Sequence, residues 1–300
     1  MGFHVGMNTP RLTSLLFVPA DSPAKAAKAR ASNAAGLILD LEDSVGPDRK
    51  AEARAGLPGL IDDTASLDGP DIWVRINALD SGLAQDDLTA AVRPGLAGIM
   101  LPKASGGDDI KMLSAMLDAL ERKAAIEGGS TRILPIVTET PAALFALASY
   151  TPAHPRLAAL TWGAEDLSAL LGATATRAEG DWTGPYATAR ALTLFAAGNA
   201  GVPAIDTVYT DFRDAEGLGR SAHAARRDGF AGQMAIHPAQ VPVIEAAYAP
   251  SEEDIALARR IVAAFAETPG LGTVGIDGQM IDIPHLKRAR RLLASAGLEA

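Results

Sequence analysis

The sequence contains no cysteine, which excludes disulfides, zinc–thiolate centres and thiol nucleophiles together. Its opening, MGFHVGMNTPR, lacks the apolar run of a signal peptide, and no later apolar stretch is long enough to span a bilayer. A soluble, cytoplasmic protein is therefore expected. Positive charge is also scarce: 27 lysines and arginines stand against 36 acids, a formal net charge of −9. That balance argues against nucleic acid as the main partner. It stays compatible with an anionic small substrate wherever basic residues gather in one cleft. Low-complexity linkers and short fixed-period repeats are missing as well.

Apolar residues, by contrast, make up 48% of the 300 positions, enough to bury a large core. Length alone suggests two domains, yet a single α/β barrel commonly fills about 250 residues. Eight strand-like segments are found, at Leu12–Val18, Gly36–Leu41, Ile72–Ile76, Gly98–Leu101, Ile133–Val137, Leu157–Trp162, Ala204–Tyr209 and Gly232–Ile236. Most are continuously apolar, the pattern of parallel strands covered on both faces. Alanine-rich amphipathic segments lie between them, for example Ser22–Asn33, Asp108–Glu127, Tyr186–Ala200 and Asp214–Arg227. Eight strand–helix alternations predict a TIM (β/α)8 barrel over residues 1–248. Residues 249–300 break the pattern. A helix over Ser251–Phe265 opens on Ser-Glu-Glu-Asp, a Gly- and Pro-rich piece (TPGLGTVGIDGQMIDIPH) follows, and a basic helix over Leu286–Leu293 closes the chain. This helical extension exceeds what a barrel needs and reads as a lid, an oligomer arm, or both.

In such a barrel the active site forms where the strands end, so strand-terminal polar residues carry the argument. The second strand ends in Asp40, Glu42 and Asp43, the third carries Arg75, and the fourth ends in Lys103. The fifth ends in Glu139, the sixth in Gly163-Ala164-Glu165-Asp166, the seventh near Asp206 and Asp211, and the eighth in His237. Glu139 and Asp166 at successive strand ends point into one crevice, where they could hold a divalent cation; the plain alternative is two acids favoured by helix dipoles. Magnesium suits one or two carboxylates with water and substrate oxygens completing its octahedron, and no histidine beside either acid argues for zinc. Arg75 sits in a strand that otherwise looks buried and so needs an anionic partner. That partner is the Asp40/Glu42/Asp43 cluster, a substrate carboxylate, or both in turn. Lys103 fits a Schiff base or a salt bridge to the same acids. His237 reads as a hydrogen-bonded structural residue, and His4, His154, His223 and His285 carry no signal. Met100, Met234, Trp73 and Trp162 read as core, and Trp182 as a cover over the mouth of the site. By residue physics alone Asp277 and Asp282 are solvated acids.

Taken together, SLLFVPAD (Ser14–Asp21), LILDLEDSV (Leu37–Val45), VRIN (Val74–Asn77), IMLPK (Ile99–Lys103), TET (Thr138–Thr140), WGAEDL (Trp162–Leu167), IDTVYTDFRD (Ile205–Asp214), GFAGQMAIHPAQV (Gly229–Val241) and DGQMIDIPH (Asp277–His285) resemble the citrate lyase β-subunit-like and malyl-CoA lyase family of the aldolase/citrate lyase group. The resemblance implies a Mg²⁺-dependent carbon–carbon lyase of 3-hydroxyacyl-CoA thioesters, with Mn²⁺ able to replace Mg²⁺. It puts the metal on Glu139 and Asp166, the substrate carboxylate on Arg75, and a C-terminal acid, supplied across a subunit contact, on Asp282. Asp40, Glu42 and Asp43 then support the chemistry, while Lys103, Gly163, Ala164 and Glu165 line the substrate. A homotrimer or hexamer is implied, with the extension as a lid over a neighbour's barrel. The chain differs from the family pattern at Thr13, where arginine often stands, at Ala20, where glycine is usual, and at Gln233, where lysine is usual. Those differences bear on acyl-group specificity and the grip on CoA. The competing readings are a metal-dependent, pyruvate-class aldolase acting on free 4-hydroxy-2-oxo acids, a CoA-thioester hydrolase, and a CoA-binding, non-catalytic subunit of a larger complex.

Overall fold

The structure, a computed structural model, describes residues 10–65 and 69–298; the leading segment with His4 lies outside the described residues. In chain order the elements of the first unit are β1 (Ser14–Pro19), α1 (Pro23–Arg30), β2 (Gly36–Asp40), α2 (Lys50–Thr64), β3 (Asp71–Arg75), α3 (Ala84–Ala91), β4 (Leu96–Leu101), α4 (Gly107–Ala124), β5 (Arg132–Pro135), α5 (Pro141–Phe145), β6 (Leu160–Thr161) and α6 (Glu165–Leu171). There follow the short β7 (Arg177–Ala178) and β8 (Asp181–Trp182), then α7 (Gly184–Ala200), β9 (Ala204–Asp206), α8 (Ala215–Asp228), β10 (Gly232–Ala235) and α9 (Val241–Tyr248).

Eight strands form one parallel sheet in the order β5-β4-β3-β2-β1-β10-β9-β6. Bridges between Ile133 and Leu157 and between Ile136 and Thr161 join the two edges, so the sheet is a nearly closed barrel flanked by helices. The expected (β/α)8 architecture is what forms. The interior is filled by Leu15, Ile38, Trp73, Met100, Leu134, Ile205 and Met234, contributed by successive strands, as barrel cores are. Trp73 is the largest filler, and Gly98 on the next strand makes room for it. A Cβ on Gly98 would lie 2.4 Å from the indole and 2.6 Å from the Arg132 carbonyl.

Two strands are shorter than their apolar runs predict. β6 keeps only Leu160 and Thr161 because Leu157 pairs back to β5 through a single bridge. β9 stops at Asp206 because the Thr207 N–H bonds to the Asp206 carboxylate at 2.9 Å and leaves the ladder. Opposite the strand exits, Arg156 precedes β6 and is buried. It donates to both Glu121 oxygens (2.6 and 2.7 Å), to the Thr131 carbonyl (2.9 Å), to Ser114 (3.1 Å) and to Asp118.

A second compact unit starts at Tyr248. It contains α10 (Glu252–Glu267), a β-hairpin of β11 (Thr273–Ile276) and β12 (Gln279–Asp282), and α11 (Ile283–Ser295). Ser251 caps α10 in a reciprocal box with Asp254. The Gly- and Pro-rich piece contains an antiparallel hairpin turned by Asp277-Gly278 at positive φ (51° and 77°), a turn pair suited to that conformation. Its Ile281 joins Ala258, Ile261, Phe265, Leu286 and Leu293 in a core of its own. No described helix is long and apolar enough to cross a membrane.

Candidate active site

Continuous apolar strands end at polar residues, and the barrel brings several of those ends together. β2 terminates at Asp40 and β3 at Arg75, and these two are register partners. The pairing aims the arginine. Its Nε and Nη2 donate to the two Asp40 oxygens at 2.7 and 2.6 Å, a bidentate fork. Nη1 lies 2.8 Å from Glu42 Oε2, and the Phe17 ring covers the guanidinium at 4.9 Å. Two of five N–H groups are committed to Asp40, so Arg75 keeps donors for a further acceptor. Asp40 also accepts the backbone N–H groups of Glu42 and Ser44. Burial works against its charge, but the Arg75 bonds prevail and hold the carboxyl below its ordinary range. The pairing with the acid cluster that the sequence offered Arg75 is thus present.

Lys103 follows β4 with a left-handed backbone, φ 50°, a strained conformation for a side chain of this size. That geometry turns its backbone N–H onto Glu139 Oε2. Its ammonium pairs with Glu42 and lies 3.7 Å from Asp166 Oδ1 and 3.9 Å from Asp43 Oδ2. Burial opposes the charge on Lys103, yet the hydrogen bond to Glu42 and the nearby carboxylates outweigh it and raise its pKa. Lys103 is thus an ion-pairing hub, the salt-bridge option of the two its sequence position allowed.

Glu139 and Asp166 both face Lys103. Glu139 is only 3% exposed, and its pKa is pushed up to about 8, first by burial and then by the charges of Asp166 and Glu42. Gly163 explains how it fits: a Cβ there would meet Glu139 Cγ at 3.1 Å and Ile136 Cγ2 at 3.3 Å. Thr138 fixes the two strand exits to each other, its hydroxyl accepting the Gly163 N–H at 3.1 Å and lying 3.2 Å from the Gly163 carbonyl. Ala164 is buried at the start of α6, and Asp166 sits half-buried in its first turn. Glu165 is exposed and forms no ion pair among the described residues. With Glu139 ionised, five acids (Asp40, Glu42, Asp43, Glu139, Asp166) surround two cations, and a divalent ion offsets that excess. The donors are hard oxygens throughout, which fits magnesium or manganese. No described group of three or more His, Asp or Glu is placed to hold a metal, so a cation here would need its other oxygens from water and substrate.

This arrangement has a pH signature. A carboxyl whose folded pKa is raised binds its proton in the native state while the unfolded chain has lost it. Metal-free protein should therefore lose stability as pH rises from the ordinary carboxylate range to about 8. Thermal melts at pH 6 and 8.5 check this: Mg²⁺ should raise the midpoint more at 8.5, and Glu139→Gln should flatten the difference.

Several sequence expectations change. Trp182 packs edge-on against Trp162 at 4.8 Å, with the Arg177 guanidinium 3.6 Å over its ring. Asp206 at the β9 exit is structural, accepting from Trp162 Nε1 (2.6 Å) and Arg190 Nε (3.2 Å). Asp282 is not simply solvated. It caps α11, taking the His285 N–H and pairing with His285 Nδ1, and that hydrogen bond lowers its pKa. His285, which carried no signal, is its partner. Phe17 and Thr138 were missed: one is an ordinary apolar strand position, and the other lies inside the visible Thr-Glu-Thr motif.

Comparison with known proteins gives the family and its relatives. The family described as HpcH/HpaI aldolase/citrate lyase matches residues 13–238. A (3S)-malyl-CoA thioesterase of Cereibacter sphaeroides is 33% identical over 94% of this chain and 94% of its own. The citrate lyase subunit beta of Escherichia coli is 34% identical over 95% of this chain and 93% of its own. A crystal structure of CitE from Mycobacterium tuberculosis in complex with magnesium, acetoacetate and coenzyme A is similar with a TM-score of 0.77 and 34% identity, covering 97% of this chain and 100% of that one.

Proposed function

The chain belongs to the HpcH/HpaI aldolase/citrate lyase family, and on that footing we propose that it cleaves a 3-hydroxyacyl-CoA thioester of malyl, citramalyl or citryl type into an acyl-CoA and a 2-oxo acid, or joins the two in reverse. The observation that carries the reading is the convergence of Glu139 and Asp166 on Lys103, beside an arginine already aimed by Asp40. Those two acids would hold Mg²⁺, which supplies Lewis acidity toward hydroxyl and carbonyl oxygens when bound. Arg75 grips the carboxylate of the 2-oxo acid portion through the donors that Asp40 leaves free. Asp40, Glu42 and Asp43 hold the two cations in place, as positioning groups. Gly163 and Ala164 keep the floor of the site small.

Cleavage would pass the hydroxyl proton to a carboxylate, break the carbon–carbon bond to leave the carbonyl of the 2-oxo acid, and send the electron pair into the thioester enolate, which takes that proton back at carbon. We assign both transfers to Asp282, contributed by a neighbouring copy in a homo-oligomer; its His285 bond favours the carboxylate that accepts the first proton. Its cap on α11 fixes the carboxylate's direction.

A thioesterase is the second reading, because a relative at 33% identity carries that name and the same acids could direct water to the thioester. One assay separates the outcomes. Malyl-, citramalyl- and citryl-CoA and a free 4-hydroxy-2-oxo acid are each incubated with protein, Mg²⁺ and then chelator. The lyase gives equal amounts of 2-oxo acid and acyl-CoA, abolished by chelator. Free CoA without 2-oxo acid would replace the lyase by the hydrolase, and turnover of the free acid alone by the aldolase.

A further inference from the structure

Asp166 reaches the site from β6, the shortest of the eight barrel strands. β6 pairs with β9 only at Leu160↔Ala204 and Thr161↔Ile205. On its other edge, Thr161 meets β5 through an isolated bridge to Ile136 and accepts the Val137 N–H at 2.9 Å. Beyond Thr161 the ladder to β9 ends, because the Thr207 N–H turns onto the Asp206 carboxyl. Backbone pairing alone therefore holds this strand exit lightly, at the seam where the barrel closes.

Trp162 and Asp206 stand where the third pair of that ladder would fall, and their side chains supply it. Trp162 Nε1 donates to Asp206 Oδ1 at 2.6 Å, and both residues are buried. The acceptor is fixed from a second element, since Arg190 on α7 donates to Asp206 Oδ2 at 3.2 Å and to Asp228 at 2.7 Å. Trp182, edge-on at 4.8 Å, steadies the indole. Only Gly163 and Ala164 separate Trp162 from α6, whose first turn carries Asp166. Gly163 is in turn bonded to Thr138, the neighbour of Glu139. A buried hydrogen bond fixes direction as well as distance, which apolar contact does not. Trp162, which reads as plain core in the sequence, thus has a polar task.

We propose that Trp162 and Asp206 are positioning residues: their hydrogen bond clasps the β6 exit to β9 and so sets where Asp166 stands relative to Glu139. The consequence for metal rests on the cation site proposed above, whereas the clasp itself does not. Amide hydrogen exchange is therefore followed in metal-free wild type, Trp162→Phe and Asp206→Asn, and Mn²⁺ affinity is measured on the same proteins. In Trp162→Phe, which keeps an aromatic ring but removes the donor, residues 161–168 should exchange about tenfold faster while β1 to β3 stay as in wild type. Its Mn²⁺ affinity should fall about tenfold or more, as when a group supporting a metal ligand is lost. Turnover should recover toward wild type as Mg²⁺ is raised, a pattern that general destabilisation does not give. Asp206→Asn keeps a weaker acceptor and should shift both readouts the same way by less; it carries the test should Trp162→Phe fail to fold. Unchanged exchange at the exit, an increase spread evenly over all strands, or local loosening with Mn²⁺ affinity intact would each overturn the proposal. Wild type that binds no Mn²⁺, with exchange still faster only at the β6 exit of Trp162→Phe, would instead overturn the cation site and leave the clasp standing.

Discussion

Glu139→Gln and Asp166→Asn should each lower Mg²⁺-dependent turnover by about a thousandfold or more, because metal activation is worth several kcal/mol and each 1.36 kcal/mol is a factor of ten. The loss should come without unfolding. Gln at 139 still accepts the Lys103 N–H, and it removes a carboxyl that burial holds at a pKa of about 8. Asn at 166 removes a half-buried group whose nearest cation, Lys103, keeps Glu42 as a partner. The two variants should also lose affinity for Mg²⁺ measured directly, which separates them from variants that only disturb substrate. A turnover close to wild type in either variant would reject the shared cation site.

Arg156→Ala should destabilise the barrel by about 3–5 kcal/mol, the penalty for stranding a buried charge. Glu121 is the charge left behind. It is fully buried, and although burial opposes ionisation, the Arg156 bonds and the N–H groups of Gly129 and Thr131 bring its pKa down to about 2. A lowered carboxyl stabilises the fold above its ordinary range and stops doing so as pH falls toward about 2. Wild type should therefore lose this contribution in acid, and Arg156→Ala should lack most of it from the start. Urea denaturation at pH 7 and pH 3 measures both. Because Arg156 lies at the end of the barrel opposite the acids, Mg²⁺ affinity of the folded variant should be unchanged. A loss below about 1 kcal/mol would show that the network adds little.

The barrel was legible because its strands are continuously apolar and each is followed by an amphipathic helix. GLILD in β2 is buried at every position, and neither a surface strand nor a helix reads that way. The strand-end rule then picked out Arg75, Lys103, Glu139 and Asp166 from residues alone. What it could not supply was pairing. That Asp40 rather than Asp43 grips Arg75 follows from register, since Asp40 stands directly beside Arg75 in the sheet, while Asp43 lies beyond the strand and reaches only toward Lys103. Asp206 misled for the same reason: it ends a strand, but its side chain meets Trp162 and Arg190, and nothing local announces those partners.

The C-terminal segment was least legible. Its hairpin carries few apolar residues, and it is stable because Val274, Ile276 and Ile281 meet the faces of α10 and α11, the helices that flank it, and the hairpin's own residues do not announce that packing. The capping role of Asp282 was readable from Asp-Ile-Pro-His, with proline in the first turn and a polar residue at the third position, though the loop around it obscured the signal.

Manganese diffraction tests the central claim most directly. Crystals soaked in Mn²⁺ and measured at its absorption edge should show one anomalous peak bonded to carboxylate oxygens of both Glu139 and Asp166 at about 2.0–2.3 Å. A peak held by one acid without the other, or manganese bound elsewhere with none at this pair, would contradict the account.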